Sequence, residues 1–337
     1  MQRIFVTGTA GFIGYHLAEL LLDEGLHVHG YDGLTDYYDV QLKRRRHQRL
    51  LQHPNFTATE AMLEDEARLR SAAGEFRPDV IVHLAAQAGV RYSLEAPRAY
   101  VGSNVVGTFN LLELAKELRP EHLLIASTSS VYGANERMPF RETDQADTQL
   151  SIYSATKKAA ESMAHSYAHL FAIPTTMLRF FTVYGPWGRP DLALFKFVDA
   201  ILDDRPIDIY NNGEMLRDFT YVTDLAKAMR LLIPVIPPAP DSRGPPSDGD
   251  SLSRVAPFRI VNIGNSEPVR LLDFVDFIEE QIGKKAVRNY LPMQSGDVPA
   301  TWANADLLRE LTGYQPQTDI RDGIASFIAW FRDYYRK

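Results

Sequence analysis

Near its N-terminus the chain passes from an apolar run, Arg3-Ile4-Phe5-Val6-Thr7, through Gly8, Gly11 and Gly14 into the helical pattern of Phe12–Glu24. A strand that turns into a helix across glycines at this spacing points the helix N-terminus, with its free N–H groups and positive dipole end, at whatever lies above the turn. Gly8 permits the tight turn, Gly11 lets a pyrophosphate approach the backbone, and Gly14 lets helix and strand pack closely. The alternation begun there continues, with candidate strands at Leu26–Tyr31, Phe56–Ala61, Val80–Leu84, Leu123–Ser127 and Thr175–Phe181 separated by amphipathic stretches. Such a pattern builds a parallel sheet with crossover helices. Val80-Ile81-Val82-His83-Leu84 lacks clean alternation, as a strand covered on both faces should.

The expected fold is therefore α/β, a Rossmann-type doubly wound parallel sheet over residues 1–181, followed by a smaller, mixed α/β substrate lobe over 182–337. In that lobe the pattern predicts helices near Phe195–Asp203, Val222–Leu232, Leu271–Ile282 and Ile320–Tyr334 and a strand at Ile207–Tyr210. Residues 237–257, rich in Pro, Gly, Ser and Asp, read as a mobile surface excursion. A formal net charge of -7 over 337 residues argues against a nucleic-acid binder, while local arginines can still receive an anionic substrate. The chain has no cysteine, which excludes disulfides and thiolate chemistry. Met1 leads directly into the first strand and no apolar run approaches a membrane span, so the expectation is a cytoplasmic protein without a membrane partner.

Asp32, at the end of the second strand, lies where a carboxylate accepts from adenosine ribose hydroxyls, and it would repel a 2′-phosphate, so NAD is favoured over NADP. The basic run Lys43-Arg44-Arg45-Arg46 reads as a solvated helix face. Tyr153 and Lys157 stand one turn apart on a helix predicted over Ser151–Phe171. A tyrosine titrating near pH 10 is a poor base at neutrality, and an adjacent ammonium favours its phenolate. Thr128, Ser129 and Ser130 follow a strand at its C-terminal end, where ligands bind in open parallel sheets. His165 and His169 have metal-pair spacing without an acidic ligand nearby, and no metal is expected.

Taken together, these segments resemble the extended short-chain dehydrogenase/reductase superfamily and its NAD-dependent epimerase/dehydratase family, over essentially the whole chain. Within that family, His83–Ser93 and Arg179–Asp191, followed by Ala193–Phe197, are similar to segments of bacterial UDP-glucuronate 4-epimerases. The resemblance implies that Thr128, Tyr153 and Lys157 form the catalytic triad. It implies NAD contacts from Gly8, Ala10, Gly11, Phe12, Ile13, Asp32, Leu63, Leu84, Ala85, Ala86 and Asn104 as well as Tyr153 and Lys157. It implies UDP-sugar contacts from Arg91, Thr128, Ser129, Ser130, Thr182, Arg189, Phe195, Lys196, Tyr210, Arg217 and Asp297. Two departures are Gln294, where relatives often carry a phosphate-binding arginine, and Met62, where they often carry an aspartate beside adenine.

The reaction so implied is reversible C4 epimerisation of UDP-glucuronate and UDP-galacturonate, with NAD tightly bound and regenerated each turnover. Thr182 and Arg189 would hold the sugar carboxylate, Arg by its planar fork. Three other reactions compete: neutral UDP-hexose epimerisation with the same triad, decarboxylation of UDP-glucuronate, and 4,6-dehydration. The last two usually need an acid near Ser129-Ser130 that this chain lacks. A non-catalytic NAD-sensing protein is the alternative outside the enzymes. Apolar positions Val105, Phe109 and Leu112, and Met163, Tyr167 and Leu170, on two helices suggest a homodimer.

Overall fold

The computed structural model describes residues 2–242, 244–294 and 296–337; Met1, Arg243 of the expected excursion, and Ser295 lie outside the described residues. The first half alternates β1 (Arg3–Thr7), α1 (Phe12–Asp23), β2 (His27–Asp32), α2 (Val40–Leu51), β3 (Phe56–Glu60), α3 (Glu66–Phe76) and β4 (Val80–His83). Two short helices, α4 (Tyr92–Glu95) and α5 (Pro97–Tyr100), and a π-helical stretch at Val101–Val106 lead into α6 (Gly107–Leu118). Then come β5 (His122–Thr128), α7 (Ile152–Phe171) and β6 (Thr175–Phe180).

The second half holds β7 (Thr182–Tyr184), α8 (Ala193–Leu202), β8 (Ile207–Tyr210), β9 (Leu216–Tyr221), α9 (Val222–Leu232) and β10 (Phe258–Ile263). It ends with β11 (Pro268–Arg270), α10 (Leu271–Ile282), β12 (Arg288–Leu291), β13 (Ala300–Thr301), α11 (Asp306–Thr312) and α12 (Ile320–Tyr335).

Seven parallel strands form the main sheet in the order β10-β6-β5-β4-β1-β2-β3. The doubly wound fold expected from the sequence is present. Alternate residues of each strand feed two cores. Ile4, Val6, Val82 and Leu124 pack under α1, α9 and α11, through Leu17, Leu225 and Leu308 among others. Phe5, Ile81, Leu123 and Ile125 pack under α3, α6 and α7. Strand order reverses between β1 and β4, where crossovers leave in opposite directions and open a crevice at the carboxyl ends.

One strand of this sheet comes from beyond residue 181. β10 pairs with β6 from Phe258↔Thr175 to Ile263↔Phe180, and covers an edge whose N–H and C=O groups would otherwise lie unpaired. The polar segment before it hides this return from a sequence reading. That segment is anchored at its C-terminal end: Leu252 and Ala256 are buried, Arg259 grips Asp250 through two 3.0 Å bonds, and His165 and His169 of α7 bond Ser253 and the Val255 carbonyl. Both histidines thus serve packing. Leu112, expected on an exposed face, lies in the core.

A third core, built by α8, α10 and α12 over β8 and β9, includes Phe197, Ile209, Phe219, Phe274 and Phe331. It forms the smaller lobe that closes the crevice from above.

Behind the ends of β5 and β6 runs a buried polar chain. The guanidinium of Arg179 donates to both oxygens of Glu161 at 2.9 and 2.8 Å, and the Ser127 hydroxyl donates to the same carboxylate at 2.7 Å. Arg179 also lies 4.6 Å over the ring of Tyr132, whose hydroxyl donates to Asn262 Oδ1 at 2.7 Å. Burial alone would raise the Glu161 carboxyl, but the Arg179 bonds and charge outweigh it and hold it down, to about 2. A depressed carboxylate stabilises the fold above its ordinary titration range and loses that contribution as pH falls toward its folded value. Glu142, accepting from the Asn262 N–H at 2.8 Å, is pushed up to about 7 by burial, so its contribution is complete in acid and lost as pH rises through 7.

These signs give a test. Arg179→Met removes the buried partner of Glu161, leaving only the partly exposed Lys158 at 3.1 Å, and should cost about 3 kcal/mol in urea unfolding at pH 7, the lower end of the cost of breaking a buried pair. Adding Glu161→Gln should recover part of that loss. A single-variant cost below about 1 kcal/mol, the range of exposed pairs, would show that Glu161 is not held as an ion.

Candidate active site

At the glycine turn the backbone is shaped for close approach. Gly8 has φ +84° and donates its N–H to the Tyr31 carbonyl at 2.7 Å. A Cβ there would sit 2.8 Å from the Ala85 nitrogen, and one on Gly14 would overlap the Gly8 carbonyl. No side chain caps α1, so the N–H groups of its first turn face a cleft lined by Gly11, Phe12, Ile13 and Gly14. This cradle fits a pyrophosphate. Asp32 accepts the Ala10 N–H at 2.9 Å and the Leu34 N–H at 2.8 Å, and still lines the cleft with acceptor capacity to spare.

Leu63, Leu84, Ala85 and Ala86 line the same cleft. The Thr7 hydroxyl accepts the N–H groups of Leu84 and Ala85 at 3.1 Å, so its own proton goes to His83 Nδ1 at 2.7 Å, and His83 Nε2 donates to Thr108. Burial, then the Lys157 charge, lower the His83 pKa to about 3, which keeps the ring neutral in this arrangement. Asn104 is placed differently from expectation. Its amide is occupied by the Gln87 N–H and C=O and by Thr156, so it braces the 85–88 turn against α7 and does not line the cleft. Ala10 likewise stands behind the surface, fully buried.

The basic run at 43–46 is not a solvated face. Lys43 and Arg46 are buried, while Arg44 and Arg45 face solvent, because residues three apart on α2 share its inner side. Lys43 lines the cleft, donates to Thr35 at 2.6 and 3.0 Å, and sits 4.3 Å over the Tyr38 ring. Burial lowers its pKa, against the pull of Asp32.

Across the cleft, Thr128 closes β5, and α7 starts at a Ser151/Ser154 capping box that fixes Tyr153 in its first turn and Lys157 in the next. Burial raises the Tyr153 pKa, against the Thr128 hydrogen bond and the Arg189 charge. Lys157 is lowered to about 8 by burial and pulled back by Glu161. The buried Glu161 therefore helps keep Lys157 charged beside Tyr153.

The remaining cations converge on the lobe side of a cleft of about 1040 Å³, which Ser129, Ser130, Thr182, Arg189, Lys196, Tyr210, Arg217 and Asp297 also line. Arg91 pairs with Asp297 at 3.3 Å and lies 4.6 Å over the Tyr210 ring. Arg217 donates to the Val298 carbonyl at 2.8 Å. Arg189 spends two donors on Asp191, at 3.0 and 2.5 Å, and Tyr37 donates to that carboxylate at 3.1 Å. Phe195 faces away, stacked edge-on against Phe331 and Tyr335 of α12, because α8 turns its other side to the cleft. In a protein of net charge -7 the cleft thus gathers, among the described residues, seven cationic side chains against six carboxylates, a local balance that can receive phosphates.

The family model for the NAD dependent epimerase/dehydratase family matches residues 4–238. A probable UDP-glucuronate 4-epimerase of Rhizobium meliloti strain 1021 is 56% identical over 337 residues, covering 100% of this chain and 98% of that protein. Protein CapI of Staphylococcus aureus is 50% identical and covers 100% of both. A UDP-glucuronic acid 4-epimerase from Bacillus cereus, solved in complex with UDP-glucuronic acid and NAD, superposes with a TM-score of 0.87 at 32% identity, covering 99% of this chain and 100% of that one. With a glycine cradle, an Asp32 acceptor and a Thr128/Tyr153/Lys157 constellation around one crevice, the chain belongs to the NAD dependent epimerase/dehydratase family.

Proposed function

We propose that this protein interconverts UDP-glucuronate and UDP-galacturonate by epimerisation at C4, as a homodimer with NAD held at the glycine turn. The observation that carries the reading is the meeting, in one cleft, of the Tyr153/Lys157 pair with Arg189 and Thr182. The relatives from Rhizobium meliloti and Bacillus cereus, both bearing the uronate epimerase name, support it.

When bound, NAD supplies the one capability no side chain here has, removing hydride from C4 and returning it to the opposite face. Tyr153 as phenolate takes the C4 hydroxyl proton as the carbon becomes a ketone, and gives it back when the ketone is reduced. Lys157 and the Thr128 hydroxyl favour the phenolate and orient the C4 oxygen. Between the two steps the 4-keto sugar turns over while Arg91, Tyr210, Arg217 and Asp297 retain the nucleotide. That ketone lies β to the carboxylate and is prone to lose carbon dioxide. Arg189, whose Nε–Nη2 edge is taken by Asp191 and whose Nη1 side faces the sugar, and Thr182 hold the carboxylate so that its C–C bond is poorly aligned with the carbonyl. Asp32 and Lys43 fasten the adenosine ribose.

Dimerisation is supported by apolar side chains left uncovered on the α6–α7 face, Phe109 at 45% and Leu170 at 67% exposure.

Incubation with UDP-glucuronate should yield UDP-galacturonate with little carbon dioxide, and UDP-glucose should turn over poorly. Efficient UDP-glucose epimerisation with no reaction of the uronate would overturn the substrate. Tyr153→Phe should lower kcat by about 10²–10⁴, the usual worth of a general acid–base. Because Lys157 must keep its proton, kcat/KM should fall as pH rises past about 8. Lys157→Met should be slow throughout and show no such fall. Sedimentation of Phe109→Asp/Leu170→Asp should give a monomer; an unchanged dimer would place the interface elsewhere.

A further inference from the structure

Arg46 is fully buried on α2, and among the described residues no carboxylate pairs with it. A guanidinium in that position is uncommon, because burying its charge without an acid is costly. Its Nη donors go instead to the backbone of two separate turns and to the Tyr38 hydroxyl, while Nε is buried without a partner among the described residues. Nη1 donates to the Ala10 carbonyl at 2.9 Å and to the Tyr38 hydroxyl at 2.8 Å. Nη2 donates to the Trp187 carbonyl at 2.5 Å and reaches the Gly188 carbonyl at 3.4 Å.

Ala10 belongs to the glycine turn, and its N–H is already fixed by Asp32, so both peptide groups of this residue are fastened. Gly188 immediately precedes Arg189, so the peptide plane that Arg46 touches is the one that launches the Arg189 backbone. The segment is irregular and has little regular hydrogen bonding of its own. Trp187 adopts φ +60°, a conformation unfavourable for a bulky side chain, and Gly185 φ +141°. His16 of α1 holds the preceding Pro186 carbonyl at 2.9 Å, and the Trp187 ring packs against Tyr15, Trp330 and Tyr334. Three consecutive carbonyls, 186 to 188, thus hang from α1, which the dinucleotide turn opens, and from α2, which packs beside it.

We propose that Arg46 is a positioning residue: one guanidinium ties the Arg189 segment to the glycine turn and so sets where Arg189 stands relative to the cofactor. Its effect on the sugar carboxylate rests on the uronate reading above; the tie between the turns does not. Lysine could reach one turn but not both, since it lacks the planar fork.

The test uses the NAD-bound protein as purified, with Arg46→Met and Arg46→Lys. Without substrate, exchange of the hydrogen-bonded amides of the two tied turns, Ala10 and Gly11 on one and Leu192 on the other, should quicken about tenfold or more in Arg46→Met, the worth of a lost hydrogen bond to a charged group, while α7 amides stay unchanged. Arg46→Lys should fall between, and it carries the test alone if the methionine variant does not fold. With UDP-glucuronate, KM should rise about tenfold by the same reasoning and a larger share of turnover should end in carbon dioxide, with the pH profile of kcat unmoved. Unchanged exchange at Ala10, Gly11 and Leu192 in both variants would overturn the proposal, as would a shifted pH profile with KM unaltered. Quickened exchange in a protein that does not turn over UDP-glucuronate would uphold the tie and reject the uronate reading instead.

Discussion

Everything in the cleft depends on how closely β1 and β4 release their chains. The two strands pair in register from Ile4↔Val80 to Thr7↔His83, then part, one into the glycine turn and the other into the 84–89 turn. Gly8 meets Ala85 there at a separation that leaves no room for a side chain, and the Thr7 hydroxyl beneath them binds the N–H groups of Leu84 and Ala85. A larger residue at position 8 would wedge the crevice apart at its root, and the cradle, Asp32 and the facing α7 would lose their common frame.

Around that frame the charges are arranged so that burial is opposed where an ion is needed. Burial pushes both Tyr153 and Lys157 toward their neutral forms, against Thr128 and Arg189 on one and Glu161 on the other. Glu161 is able to do this because Arg179, helped by Lys158 and the Ser127 hydroxyl, keeps it ionised. The dry side of α7 therefore bears on the charge of its cleft side, through a carboxylate that does not line the cleft.

Much of this was legible along the chain because the determinants are local. Glycine spacing, strand composition and an i, i+4 pair are read within a few residues, and the crevice brings together Gly8, Gly11, Asp32, Thr128, Tyr153, Lys157, Thr182 and Arg189 as expected. The departures have a common cause. Lys43 and Arg46 resemble any basic helix face until the neighbouring turns bury them. Phe195 lies beside cleft-lining Lys196 in sequence, yet packs into α12. Asn104 reaches the site only through Gln87 and Thr156, residues 17 and 52 positions away. β10 follows a polar segment and completes the sheet at a distance no local pattern reports.

By itself, then, the amino-acid sequence determined the class of fold, the glycine turn and the Tyr153/Lys157 pair on one helix face, because strand pleat, helix period and glycine conformation are properties of short stretches of chain. Tertiary structure alone decided which cations are buried and what they hold, since a side chain's partner and its dielectric surroundings are set by segments far away in sequence. Arg46 shows the difference most plainly: one of four adjacent basic residues on α2, it is singled out only by the carbonyls of Ala10, Trp187 and Gly188 that converge on it.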